Sequence, residues 1–133
     1  MIMEKDVMRC AREAGEIAMS YFRGRHAMDI HNKLNDSDIV TTADKECEAH
    51  ITEFIRTHYS DHSILSEESG ETDGSADYRW VIDPIDGTSN FFAGLPLWSI
   101  SIGVEHHGRT ETGVVYLPAT DEMFHAVRGE GAW

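Results

Sequence analysis

The 133-residue chain predicts an α+β fold, with two N-terminal helices packed on a largely antiparallel sheet. Three observations carry that prediction. Apolar residues recur at helical spacing in the N-terminal part of the chain. Strict two-residue alternation replaces that spacing after residue 97, and short turn-forming clusters separate the alternating runs. No internal repeat, low-complexity run or linker interrupts the pattern, so residues 1–133 read as a single α+β domain.

In the first helix Val7, Ala11, Ala14, Ala18 and Tyr21 form one face, with Ile17 and Phe22 beside them. This predicts a helix from about residue 4 to 23, with Gly24 as its stop. The following RHAMDIHNKLNDSDIV is polar and contains the turn-prone run Asn35-Asp36-Ser37, which predicts a loop or weak hairpin. A second helix is expected to begin near Thr41, because Thr41 and Asp44 have the spacing of a capping box. Cys47, Ile51, Phe54, Ile55 and His58 would form its buried face.

Ser63-Ile64-Leu65-Ser66 is a short strand leading into Glu67-Glu68. The acidic SGETDGSADY after it lacks apolar periodicity and predicts an exposed loop. Trp80-Val81-Ile82 is the next strand. In LWSISIGVE, Trp98, Ile100, Ile102 and Val104 alternate with Ser99, Ser101, Gly103 and Glu105, which predicts a half-buried strand. A turn at His106-His107-Gly108-Arg109 leads into the strand TETGVVYL, and a turn at Pro118-Ala119-Thr120-Asp121 into EMFHAV. His106 and His107 read as solvated turn residues, and Trp80 and Trp98 as core. The sequence ends at RGEGAW with nothing predicted to cover the second face of the meander, so a truncated N-terminal portion of a longer protein is expected.

Eleven Lys plus Arg against 24 Asp plus Glu give a formal net charge of −13. That balance opposes direct nucleic-acid binding, which needs basic surface to replace counterions, and opposes docking on anionic membranes. It suits a protein that collects cations, as well as one that is simply well solvated. No stretch approaches the roughly 20 apolar residues of a membrane span. The N-terminus is mixed in charge and helically periodic, unlike a signal peptide. With Cys10 and Cys47 read as buried reduced thiols, a cytoplasmic protein is expected.

The residues that carry chemistry lie in WVIDPIDGTSNF, positions 80 to 91. Pro84 fixes its own φ and keeps a helix from running through Asp83. Asp83 and Asp86 can then converge from one turn, and Gly87 permits a backbone conformation that a Cβ would resist. Such carboxylates suit hard cations such as Mg²⁺, which prefer oxygen ligands and bridge to phosphate. A helix starting near Thr88 would face an anion there with its free N–H groups, and the Thr88 hydroxyl could orient a water. The plain alternative is that Asp83 and Asp86 only shape a turn and cap a helix. A D-G-T also occurs in aspartyl-phosphate phosphatases, but their two aspartates are separated by one residue, whereas Pro84 and Ile85 both intervene here. Glu67-Glu68, at the end of another strand, adds a second acidic pair from which one carboxylate can face Asp83.

Together WVIDPIDGTSNFFAGLPLWSISIGV, ILSEESG and DIVTTADKE resemble the inositol monophosphatase family of Mg²⁺-dependent, lithium-sensitive sugar-phosphate phosphatases. The resemblance runs from about residue 5 to Trp133, with the three signatures in order. It implies the N-terminal part of a layered αβαβα fold. It also implies that Glu67, Asp83 and the Ile85 carbonyl hold one metal, that Asp83 and Asp86 hold a second, and that Glu67 helps hold a third, weaker one with the attacking water. Thr88 would hydrogen-bond that water with Asp44 as its acidic partner, and Gly87 and Thr88 would donate backbone N–H groups to the phosphate. The substrate implied is a small phosphorylated polyol or sugar, inositol monophosphate first, and the assembly implied is a homodimer. Ser89 after the threonine resembles the inositol phosphatases more than the nucleotide or histidinol-phosphate branches, which commonly place Lys there. Fructose 1,6-bisphosphatase activity, or a non-catalytic regulatory role, are the alternatives. The family's W-D-x-A-A-G signature, whose aspartate completes the second metal site, has no counterpart in this sequence.

Overall fold

The computed structural model describes residues 4–31, 36–66, 69–72 and 74–133, with backbone alone for 23–31, 36–39, 72, 75 and 76. Two helices, α1 (Glu4–His31) and α2 (Asp36–His58), precede the strands β1 (His62–Ser66), β2 (Gly70–Thr72) and β3 (Ser75–Asp86). A short helix α3 (Thr88–Ala93) then leads to β4 (Ser99–His106), β5 (Arg109–Leu117) and β6 (Glu122–Val127). The six strands form one sheet in the order β2-β1-β3-β4-β5-β6. The pair β1–β3 is parallel, with Ser66 opposite Ile82, and the other four pairs are antiparallel. The predicted α+β layout is therefore the observed one, with a single parallel pair added to the expected meander.

Three boundaries differ from the sequence reading. The first helix continues through Gly24 to His31, because one interior glycine costs only about 1 kcal/mol relative to alanine and does not by itself end a helix. The second begins at Asp36, so the expected loop or hairpin is helical on both flanks, its middle, residues 32–35, lies outside the described residues, and Thr41 and Asp44 lie inside α2 rather than at its cap. The stretch read as an exposed loop supplies β2 and the start of β3. There Arg79 on β3 pairs with Glu71 on β2 at 3.4 Å and with Glu105 on β4 at 2.8 Å, so cross-strand ion pairs accompany pairing where apolar alternation is missing.

The core lies between the helices and one face of the sheet. Val7, Cys10, Ala11, Ala14 and Ala18 of α1, and Ala43, Cys47, Ile51, Phe54 and Ile55 of α2, pack with Trp80, Ile82, Ile100, Ile102, Val104 and Val114. His58, expected on that buried face, is exposed instead and stacks its ring on Phe54 at 4.4 Å. At the turn between β4 and β5, His107 and Gly108 both have positive φ, the two-residue geometry that matches strand twist. On the opposite face of the sheet Val115 and Phe124 are exposed side by side, in register across β5 and β6. No described helix is long and apolar enough to cross a membrane.

Candidate active site

The site begins with an irregularity in β3. Asp83 sits opposite Ser101 and Asp86 opposite Ser99, so three steps along β3 span two steps along β4. Pro84 and Ile85 together face the single residue Ile100, which is a β-bulge. Proline is tolerated there because a bulge interrupts the ladder that would need its N–H. In a regular strand residues three apart point to opposite faces. The extra residue corrects that odd spacing: Asp83 and Asp86 share the face of Ser99 and Ser101, away from the helices. Ile85 is buried within the bulge, at 2% exposure. The carboxylates are thus brought to one side at a strand end, by a bulge rather than by the tight turn the sequence suggested.

Gly87 follows directly, with φ 90° and ψ 43°, and acts as the N-cap of α3. Its carbonyl accepts the N–H groups of Asn90 and Phe91, each at 3.0 Å. A Cβ on Gly87 would lie 3.1 Å from the Leu97 carbonyl oxygen and 3.3 Å from Trp98 Cα. The glycine therefore answers both a left-handed backbone and a close approach of β4. Asn90 pins the return segment by donating its side-chain amide to the Leu97 carbonyl at 2.7 Å. Phe91 and Trp98 anchor α3 to the core in an edge-to-face pair with centroids 4.8 Å apart. Thr88 and Ser89, the first residues of α3, are exposed.

Asp44 projects from α2 and is buried. Burial, followed by the negative charge of Asp44, pushes the Cys47 thiol up to about 12. Thr41, one turn before Asp44, shares a depression of about 340 Å³ with Thr88, Ser89, Val40 and Phe92. A second hollow, of about 500 Å³, is lined by Ser66, Gly70, Val81, Asp83 and Ser101 among others. Asp83 is thus in one hollow and Thr88 in the other, with the bulge and Gly87 between them.

Glu67 and Glu68 lie outside the described residues. Their described neighbours are informative: Ser66 and Ser69 both donate their hydroxyls to the carboxylate of Glu48 on α2. Sequence reasoning overlooked Glu48, although its position four residues after Asp44 places it on the same helix face. It also gave no role to Ser101, which alternation had set off the core face beside Asp83. Among the described residues no group of three or more His, Cys, Asp or Glu side chains could hold a metal. The described donors are two carboxylates on one face. That hard-oxygen set fits Mg²⁺, which is commonly held by one or two carboxylates plus water and substrate phosphate. His58, His106 and His107 belong to other parts of the fold: His106 stacks on Tyr78 at 4.2 Å, and His107 occupies the β4–β5 turn.

A sequence model of the inositol monophosphatase family matches residues 3–133. The Nus factor SuhB of Haemophilus influenzae is 48% identical over 126 residues, covering 94% of this chain and 47% of that protein. Among solved structures, the extragenic suppressor protein suhB from Bartonella henselae superposes with a TM-score of 0.84 at 32% identity, over 97% of this chain and 49% of that one. An inositol monophosphatase from Anabaena (Nostoc) superposes with a TM-score of 0.81 at 36% identity, over 97% and 45%. The chain spans about half the length of the curated relatives it matches. With a family model matched along nearly all of its length, the chain belongs to the inositol monophosphatase family.

Proposed function

We propose that this chain carries the metal-binding half of a Mg²⁺-dependent phosphomonoesterase that releases phosphate from inositol monophosphate. The observation that carries the reading is the bulge that sets Asp83 and Asp86 on one face, immediately before the glycine-capped start of α3. Asp83, Asp86, the Ile85 carbonyl and Glu67 would hold the metal. When bound there, Mg²⁺ supplies charge neutralisation at the phosphate and lowers the pKa of water.

The chain's own groups do the rest. Backbone N–H groups of Gly87 and Thr88 bind the phosphate oxygens. The Thr88 hydroxyl orients a water, and Asp44 is its acidic partner across the site. The water oxygen adds to phosphorus, the ester P–O bond breaks, and the alcohol leaves with a proton. No covalent enzyme intermediate is required. The substrate class is supported by SaIMPase-II, a relative whose structures hold inositol monophosphate and 2'AMP. The 2'AMP held by that relative also keeps other phosphomonoesters in view, fructose 1,6-bisphosphate among them.

Phosphate release from inositol 1-phosphate in the presence of Mg²⁺ tests the reading, with Asp83→Asn as the control. Release should fall to background in that variant, and an unchanged rate would show that the metal-site assignment is wrong. A second reading is favoured by one observation: the curated relatives bear the name Nus factor SuhB, which indicates a regulatory role for those proteins. Turnover by wild type that Asp83→Asn abolishes supports the enzyme; no turnover with any small phosphomonoester supports the regulatory reading.

A further inference from the structure

We propose that Glu48 is a positioning residue that sets the metal affinity of the site by clamping the end of β1 to helix α2; this rests on the metal-site reading above. Three placements lead to it. The Glu48 carboxylate uses both oxygens, Oε1 accepting from the Ser66 hydroxyl and Oε2 from the Ser69 hydroxyl. Ser66 is the last residue of β1 and Ser69 directly precedes β2, so one side chain holds both of these strand ends to α2. Ser66 is buried at 3% exposure and lies opposite Ile82 in the parallel pair, one residue before Asp83.

The same helix carries the buried Asp44 one turn earlier. Glu48 therefore joins the element that bears Asp44 to the strand that runs beside Asp83. Hydrogen bonds to an ionised carboxylate are the stronger kind, and two of them from one side chain fix direction as well as distance. Glutamate has the chemistry that the position needs. A glutamine of the same shape has one oxygen acceptor, so one of the two hydroxyls would lose its partner or have to reverse its role. Groups that orient metal ligands without touching the metal typically change affinity by about 10–100-fold when removed.

The test measures Mg²⁺ binding by calorimetry and, without metal, amide hydrogen exchange across residues 64–72. Glu48→Gln and Ser69→Ala should each weaken Mg²⁺ binding by about tenfold and speed exchange at the β1–β2 amides. Ser69→Thr, which keeps the hydroxyl, should retain wild-type affinity. Ser69 is exposed, so its substitution leaves the core untouched and a merely structural effect is separated from positioning. Wild-type affinity in both Glu48→Gln and Ser69→Ala, with binding lost in Asp83→Asn, overturns the positioning role and leaves the site standing. Mg²⁺ binding that survives Asp83→Asn overturns the metal-site reading and this proposal with it.

Discussion

Trp80 donates its indole N–H to Nδ1 of His62 at 3.0 Å, and both side chains are buried on the helix side of the sheet. The indole is only a donor, so His62 Nδ1 must be an unprotonated acceptor and the ring proton sits on Nε2. Nε2 lies 3.9 Å from Asp61, and Tyr59 and Tyr78 stack on the ring with centroids 5.1 and 4.7 Å away. Burial holds the imidazole pKa below 6.5, against the opposing pull of Asp61. A depressed histidine pKa means that the folded state favours the neutral ring. Its stabilising contribution is complete above the unfolded value of 6.5 and is lost as pH falls through the lower folded value. NMR titration should give His62 a midpoint below 6.5. The difference in urea midpoint between wild type and His62→Gln should shrink as pH is lowered through that range. A wild-type gap independent of pH would show that this ring is not linked to folding.

Gly87→Ala should destabilise the fold by about 1–3 kcal/mol, the cost of a side chain in a sparsely populated backbone region. Its φ is 90°, and the added Cβ would press on the backbone of Leu97 and Trp98. Thermal unfolding of the variant should show a lowered midpoint, and the α3 amides should exchange faster. An unchanged midpoint would mean that α3 can start from another backbone conformation.

Gly15→Ala reverses the usual helix rule. In an exposed helix the substitution would gain about 1 kcal/mol. Here the new methyl would lie 2.6 Å from the Tyr116 ring and 3.0 Å from Pro118 Cγ. Tyr116 cannot turn aside freely, because its hydroxyl donates to Asp121 at 2.8 Å and Arg12 lies over its ring at 5.8 Å. Overpacking of about 1–3 kcal/mol should outweigh the propensity gain, giving a lower denaturation midpoint. The double variant Gly15→Ala with Tyr116→Leu should recover part of that loss.

Cys10 and Cys47 should react with a thiol reagent only on unfolding. Both are free and buried, and burial first of all pushes each thiol up to about 12, which leaves almost no thiolate at neutral pH. Cys47 also donates to the Ala14 carbonyl at 3.4 Å, tying α2 to α1. Labelling rates in native buffer should follow the global unfolding equilibrium. Rapid labelling of either residue would mean that the two helices separate locally.

The elements that were legible in the sequence are those whose residues act through side-chain alternation. Trp98, Ile100, Ile102 and Val104 announced β4 because each second residue enters the core. The turn at His107-Gly108 and the strands on either side follow from the same logic. What escaped was held by polar contacts between distant residues. Nothing local in SGETDGSADY signals β2, since Arg79 meets Glu71 and Glu105 only once the sheet exists. Gly24 read as a stop and Thr41 as a cap because local propensity is a weak signal beside the packing of a long apolar face. At the site, the residue types and the start of α3 were readable, and the bulge was not. D-P-I-D looks like a turn in isolation, and only the pairing with Ser99 and Ser101 shows a strand that continues past its proline.

That bulge makes β3 a text read in two frames. Before it, even-numbered positions such as Trp80 and Ile82 address the core and odd-numbered ones the open face; after it, even-numbered Asp86 takes the open face. A one-residue insertion upstream of Asp83 would exchange core and surface along the strand, whereas a change of length between Pro84 and Ile85 would leave Trp80 and Ile82 in place and move the buried Ile85 together with Asp86. The spacing of these carboxylates is therefore set apart from the packing of Trp80 and Ile82, and Ile85 is the residue through which a change in the site would reach the fold beneath it.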